Sequence, residues 1–215
     1  RRQNPVPARR RPAGRLVRRR PSARVAGPRA SGGADVALDL EALLRSRITD
    51  VSDFPEPGVT FKDITPLLAD HVAFAGVVDA VVSHFGRGTV EKVAGIEARG
   101  FLLGAPVAYH FGAGFVPVRK KGKLPRSTHA ETFELEYGSA ELEVHQDAFA
   151  PGERVLVVDD VLATGGTAVA AVMLVEQAGA VPIGLSVLME LAFLGGRARV
   201  AAAAPGLELH TLLRY

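Results

Sequence analysis

Cysteine and tryptophan are absent from this 215-residue chain. No disulfide can form within it, and with 47% hydrophobic residues the composition fits one soluble, intracellular α/β domain with a substantial core, expected to be cytoplasmic. No apolar run approaches the ~20 residues a membrane helix needs, and no secretory signal is visible. Aromatic residues are scarce, at 6%, so an aromatic placed in a loop carries information. Acids are missing from residues 1–33, which hold eleven Arg; the rest of the chain has 15 basic against 23 acidic side chains, a net charge of −8 beneath an overall +3. The folded body is therefore acidic, which argues against a nucleic-acid partner for it.

The segment RRQNPVPARRRPAGRLVRRRPSARVAGPRASGG has too little apolar surface to offset its ordering entropy, so residues 1–34 are expected to form a disordered basic extension. Its composition admits an organelle presequence, a nucleic-acid-binding arm or an inert extension, such as one read from upstream of the true start. Dense proline, with Ser22 and Ser31 its only serines, favours the last. Residues 35–215 read as the domain.

Another absence shapes the reading of Arg154–Thr167, RVLVVDDVLATGGT. Val155–Val158 is an unbroken apolar run too short for a helix, the pattern of a strand buried on both faces of a parallel sheet. Asp159 and Asp160 follow at its carboxyl end, where open α/β sheets place ligands. Two adjacent carboxylates repel unless hydroxyl donors or a cation lie nearby, so they call for a polyhydroxylated or metal-bound ligand. Ala163-Thr164-Gly165-Gly166-Thr167 then opens a helix whose free N–H groups favour an anion. No Lys follows the second glycine, as a nucleoside triphosphate loop requires; a single phosphate fits this cup better.

Along the chain, DVALDLEALLRSRI (35–48) spaces Leu40, Leu43 and Leu44 as a short amphipathic helix. Residues 54–66, FPEPGVTFKDITP, predict an extended loop in which Phe61 is either core or a stacking platform for a flat heterocycle. Asp70 predicts a cap for a helix through Phe85, with Phe74, Val77, Val78, Val81 and Val82 near one face. Val90–Ile96 reads as a strand leading into Glu97-Ala98-Arg99-Gly100, where Arg99 opposes the dipole of the following helix and needs an anion. Gly114–Val118 predicts a strand running into RKKGKLPR (119–126), five cations in eight residues, read as a basic flap over a pyrophosphate. Thr132–Val144 alternates as a β-hairpin, with Phe133, Leu135 and Tyr137 on one face and Glu134 and Glu136 on the other. By spacing alone, Glu136 reads more readily as a solvated acid than as a catalytic one. Val181–Leu188 and Leu207–Leu213 predict strands, and LAFLGGR (191–197) a loop at the same rim. Together these give a doubly wound, mostly parallel sheet with a small hood region and a β-hairpin flap spanning about 119–145.

Four apolar residues, two acids and a TGGT turn resemble the signature of the type I phosphoribosyltransferases. From residue 37 onward the blocks DFPEPGVTFKDITPLL, GIEARGFLLGAPVA, FVPVRKKGKLP, LEYGSAELEVHQDA and ELAFLGGR resemble, in order, the adenine-using members of that family. The resemblance implies transfer of a phosphoribosyl group from phosphoribosyl pyrophosphate to adenine, giving AMP and pyrophosphate, with Mg2+ held mainly by the substrate and not by direct protein ligands. It places the 5′-phosphate on Ala163, Thr164, Gly165, Gly166 and Thr167, and the ribose hydroxyls against Asp159 and Asp160. It places the pyrophosphate on Arg99, Arg119, Lys120 and Lys123, and adenine between Phe61 and Leu191, with backbone around Thr60 and Lys62 reading its edge. Glu136 matches the flap glutamate directed at N7 of the base, and a homodimer is implied. Two positions depart from the common pattern: Lys62 stands where many members have Arg, and Phe133 where many have Tyr. Rival readings are transfer to xanthine or guanine, and a donor-sensing regulator; the latter needs a separate DNA-binding fold, and residues 1–33 show no helix-turn-helix pattern.

Overall fold

A computed structural model of the chain describes residues 39–134 and 139–215. Its first element, helix α1 (Leu40–Ser46), starts where Asp39 accepts a hydrogen bond from the Ala42 amide at 3.2 Å. Strands β1 (Thr49–Ser52) and β2 (Thr60–Asp63) pair antiparallel, with Phe61 opposite Val51 and Lys62 opposite Asp50. The extended loop expected over residues 54–66 is thus partly strand, and helix α2 (Thr65–Ala69) begins at its end. Pro66 sits in the first turn of α2, where no N–H partner is needed. The missing signal is β1 itself: TDVS is exposed at all four positions and shows no hydrophobic alternation.

Helix α3 (His71–Phe85) follows its sequence pattern closely. Asp70 caps it through the Val72 and Ala73 amides at 2.9 and 3.1 Å, and Val77, Val78, Val81 and Val82 are buried.

Seven strands make the main sheet: β3 (Lys92–Ile96), β4 (Gly114–Lys120), β5 (Thr128–Glu134), β6 (Ser139–His145), β7 (Arg154–Leu162), β8 (Val181–Glu190) and β9 (Glu208–Arg214). Their order is β5-β6-β4-β3-β7-β8-β9; the five from β4 to β9 run parallel, while β6 is antiparallel to both β4 and β5. Helices α4 (Arg99–Phe111), α5 (Gly166–Gln177) and α6 (Gly196–Ala203) complete the layers. The expected loop 191–197 instead holds a 3-10 turn at Ala192–Leu194 and the start of α6.

Strand β7 is buried on both sides. Val155 and Val157 pack with Ala171, Val172 and Leu174 of α5, whereas Leu156 and Val158 pack with Leu103 and Val107 of α4 and Val77 of α3. Each such side chain contributes roughly 1.5–3 kcal/mol through burial, which is why this run tolerates no polar residue until Asp159. The connections β3-α4-β4 and β7-α5-β8 lead to opposite sides of the central β3/β7 pair, so the strand order reverses between β3 and β7. Open α/β sheets bind ligands outside the carboxyl ends of strands at such a point.

Candidate active site

Strand β7 is longer than its apolar run suggests. It pairs with β3 only as far as Val158, but with β8 as far as Leu162. The two aspartates are therefore held within a strand rather than just past its end, and the side vacated by β3 opens into a cleft of about 370 Å³. Glu97, Arg99, Lys120, Asp159, Asp160 and Thr164 are among the residues lining it.

The carboxylates are crowded. Asp159 Oδ1 accepts from the Asp160 amide at 2.8 Å, and Asp160 is 3% exposed. Burial, and then the neighbouring Asp160 charge, push Asp159 well above the usual carboxylate range; burial also raises Asp160, against the opposing Arg99 charge. Arg99 Nε lies 2.9 Å from Asp160 Oδ2 without a hydrogen bond directed at it, so that buried oxygen is unsatisfied among the described residues. A site of this kind is completed by hydroxyl or water donors from a ligand. Gly100 explains how α4 approaches so closely: a Cβ there would lie 2.8 Å from the Val158 carbonyl oxygen and 2.9 Å from Asp159 Oδ1.

Residues Ala163–Thr167 form the cup between β7 and α5. Gly165 adopts φ +84 and starts α5 without a side-chain cap, leaving the first-turn amides without one. Gly196 of α6 backs the cup; a Cβ on it would lie 2.2 Å from the Ala163 carbonyl oxygen. The glycine-glycine pair in the 191–197 segment thus lets a second backbone buttress the first.

A smaller cavity of about 140 Å³ adjoins the cleft, bounded by Phe61, Thr60, Lys62, Met189 and Leu191. Arg99, Asp160, Val161 and Ala163 line both spaces. The Arg99 guanidinium lies 4.9 Å from the Phe61 ring centroid, bridging the aromatic wall and the acids. Lys62 lends the cavity its position in β2, while its ammonium pairs with Asp50 at 2.7 Å.

Residues 67–199 match the phosphoribosyl transferase domain. The adenine phosphoribosyltransferase of Acidothermus cellulolyticus is 62% identical over 165 residues, which cover 77% of this chain and 93% of that protein. The chain belongs to the adenine phosphoribosyltransferase family. Among solved adenine phosphoribosyltransferases, the Rhodothermus marinus structure aligns with a TM-score of 0.78 and 48% identity, covering 82% of this chain and 98% of that one. The Saccharomyces cerevisiae enzyme, solved with adenine and an imino-altritol bisphosphate, aligns with a TM-score of 0.75 and 37% identity over 81% of this chain and 99% of that one.

Within this chain the basic segment is fastened rather than free. Arg119 Nε lies 3.3 Å from Glu97, Lys123 hydrogen-bonds Glu97, and the Lys120 amide donates to Glu97 at 3.0 Å. Lys121 pairs with Glu141 at 2.7 Å and Arg126 pairs with Asp147. Of the four cations expected on pyrophosphate, Arg99 and Lys120 line the main cleft, while Arg119 and Lys123 stand beside it on Glu97. Burial alone would raise Glu97, yet the hydrogen bonds from Lys123, the Lys120 amide and Arg119 hold it down to about 2. Sequence reasoning assigned Glu97 no role, although a lone acid at the end of one strand, with a run of cations leaving the next, is a usable signal. It also passed over Glu190, 2% exposed and hydrogen-bonded by Arg197 at 2.6 Å, which anchors α6 behind the cup. Phe133 lines the main cleft. Glu136, with Leu135, Tyr137 and Gly138, lies outside the described residues.

Proposed function

We propose that the chain salvages purine by transferring the 5-phosphoribosyl group of phosphoribosyl pyrophosphate to adenine, releasing AMP and pyrophosphate. The observation carrying this reading is the junction of two spaces, one acidic and backed by a glycine cup, the other flat-walled and apolar, through shared Arg99, Asp160 and Ala163. A sugar carrying a phosphate and a planar base would meet at that junction.

In this reading the amides and hydroxyls of Ala163, Thr164, Gly165, Gly166 and Thr167 hold the 5′-phosphate, and Asp159 and Asp160 accept from the ribose hydroxyls. The orphaned Asp160 Oδ2 gains its partner in the second contact. Arg99 and Lys120 face the pyrophosphate, joined by Arg119 and Lys123 as its charge competes with Glu97. Thr60, Phe61, Lys62 and Leu191 enclose adenine, the ring of Phe61 stacking and the β2 backbone reading the edge.

As the C1′–O bond to pyrophosphate lengthens, positive charge grows on the ribose and negative charge on the leaving group. The carboxylates offset the first and the cations the second, so both sets bind the transition state more tightly than the substrate. Glu136 is assigned to N7 of the base. The described residues contain no group of three or more acids, histidines or cysteines suited to a metal. Two crowded carboxylates facing a diol suit a Mg2+ held chiefly by the donor's own oxygens, where it would neutralise leaving-group charge.

The family expectation of a homodimer has a surface to match: Val72, Leu102 and Tyr109 are exposed apolar side chains of α3 and α4. No described helix is long and apolar enough to cross a membrane. A donor carrying several phosphate charges does not cross a bilayer unaided, so the reaction takes place in the compartment that holds the donor, which this reading assigns to the cytoplasm.

The test is acceptor competition with Mg2+ and the donor, using adenine, guanine, hypoxanthine and xanthine. Adenine alone should turn over, and Glu136→Gln should lower kcat about a hundredfold with donor KM unchanged. Turnover of an oxopurine at the adenine rate would overturn the base assignment.

A further inference from the structure

Tyr215 touches neither cavity, yet it is joined to both walls of the smaller one. Two cations lie over its ring: Lys62 Nζ is 4.2 Å and Arg45 Cζ 4.8 Å from the ring centroid. Lys62 is the residue after Phe61 on β2, so this contact reaches the aromatic wall. The backbone of Tyr215 reaches the opposite wall. Its amide donates to the Glu190 carbonyl at 2.9 Å and its carbonyl accepts from the Ala192 amide at 2.9 Å, bracketing Leu191. The Leu191 amide in turn donates to the Leu162 carbonyl at 2.9 Å, beside Ala163 of the cup.

Besides these contacts, the Arg99 guanidinium over the Phe61 ring ties the same wall to α4, but it does not reach Leu191. Among the described residues strand β2 pairs only with β1, in a two-stranded sheet separate from the main one. An isolated two-stranded ribbon has little stability of its own, so the spacing between Phe61 and Leu191 depends on what ties β2 to the main sheet. Arg45 adds a second tie from α1, its guanidinium donating to the Arg214 carbonyl at 3.0 Å. Asp50, on β1, completes the arrangement by holding the Lys62 ammonium over the ring at 2.7 Å.

We propose that Tyr215 is a positioning residue for the base: its ring, clasped by Lys62 and Arg45, and its backbone, bonded on both sides of Leu191, fix the width of the cavity that receives adenine. The inference rests on the reading of that cavity as the base site. It assigns the ring face, rather than the hydroxyl, the deciding role, because both cations lie over the ring. The donor's cup and carboxylates lie on β7 and α5 and do not depend on this contact.

The experiment compares Tyr215→Phe, Tyr215→Leu and Tyr215→Ala in the full chain, with KM measured separately for adenine and for phosphoribosyl pyrophosphate. Tyr215→Phe should behave as the unaltered protein. Tyr215→Leu and Tyr215→Ala should raise adenine KM about five- to tenfold, the loss expected for a cation–π clasp, with donor KM within about twofold. Equal rises in both KM values, or an adenine KM unchanged in Tyr215→Ala, would overturn the proposal. If Tyr215→Ala does not fold, Lys62→Met reads the same contact from the other side and should reproduce the adenine-only defect; a normal adenine KM there would also overturn it. Failure of the unaltered protein to use adenine at all would instead remove the functional reading, an outcome separate from any difference among the variants.

Discussion

At the scale of single residues the site is governed by charges that the protein holds out of balance. Asp159 and Asp160 carry raised proton affinities because they are buried beside one another, and a group whose charge is disfavoured in the fold destabilises it at neutral pH. Asp159→Asn should therefore raise the melting temperature while raising donor KM about ten- to a hundredfold, the value of a hydrogen bond to a charged acceptor. Calorimetry and initial-rate kinetics read the two effects independently, and a variant that lost stability would contradict the account. Glu97 behaves in the opposite sense. Its carboxyl is held at about 2, below its ordinary 4.5, so the stability it adds is complete above 4.5 and disappears as pH falls from there through 2. Urea unfolding of the unaltered chain and Glu97→Gln should show a constant gap from pH 8 to about 5 and a closing one below. A gap that varied between pH 6 and 8 would place the effect on some other group.

At the scale of elements, the cup depends on two backbones meeting. Gly165 needs its positive φ, and Gly196 needs to have no Cβ, because the Ala163 carbonyl occupies that space. Gly196→Ala should cost about 1–3 kcal/mol and weaken donor binding by shifting Ala163, measured by denaturant midpoint and donor KM. Unchanged donor affinity would mean the cup is indifferent to α6. Much at this scale is readable along the chain. Asp70, followed by apolar residues at helical spacing, defines α3, and the four apolar residues before Asp159 define the middle of β7. In both cases a local run states what is buried. The pairing of TDVS at Thr49–Ser52 with Thr60–Asp63 is not readable, since β1 is exposed throughout, β2 is only half-buried beyond Thr60, and neither shows an apolar alternation. The 191–197 segment misleads for a similar reason: its glycines look like a flexible turn, but one of them is demanded by contact with a loop some thirty residues earlier.

For the whole molecule, the β3/β7 reversal opens the cleft to which the proposed function assigns the ligand, and the exposed face of α3 and α4 is the surface on which the proposed dimer can be tested. Leu102, 50% exposed, lines an apolar groove with Leu68, Phe74, Phe101, Ala105 and Pro106, and Tyr109 of the same helix is 89% exposed. Sedimentation at micromolar concentration should give twice the 22.7 kDa chain mass, and Leu102→Glu should yield a monomer. A monomeric unaltered protein would rule out that use of the face.

The sequence by itself determined the central strand, its two acids, the small-residue cup and the family, because each is carried by contiguous residues whose order has chemical meaning. Only the tertiary structure decided that β7 outruns β3 to open the cleft, that Glu97 gathers Arg119 and Lys123, and that Tyr215 joins the walls around Leu191. Those are contacts between segments far apart in the chain, and long-range proximity is set by how the packed layers close rather than by any local pattern of side chains.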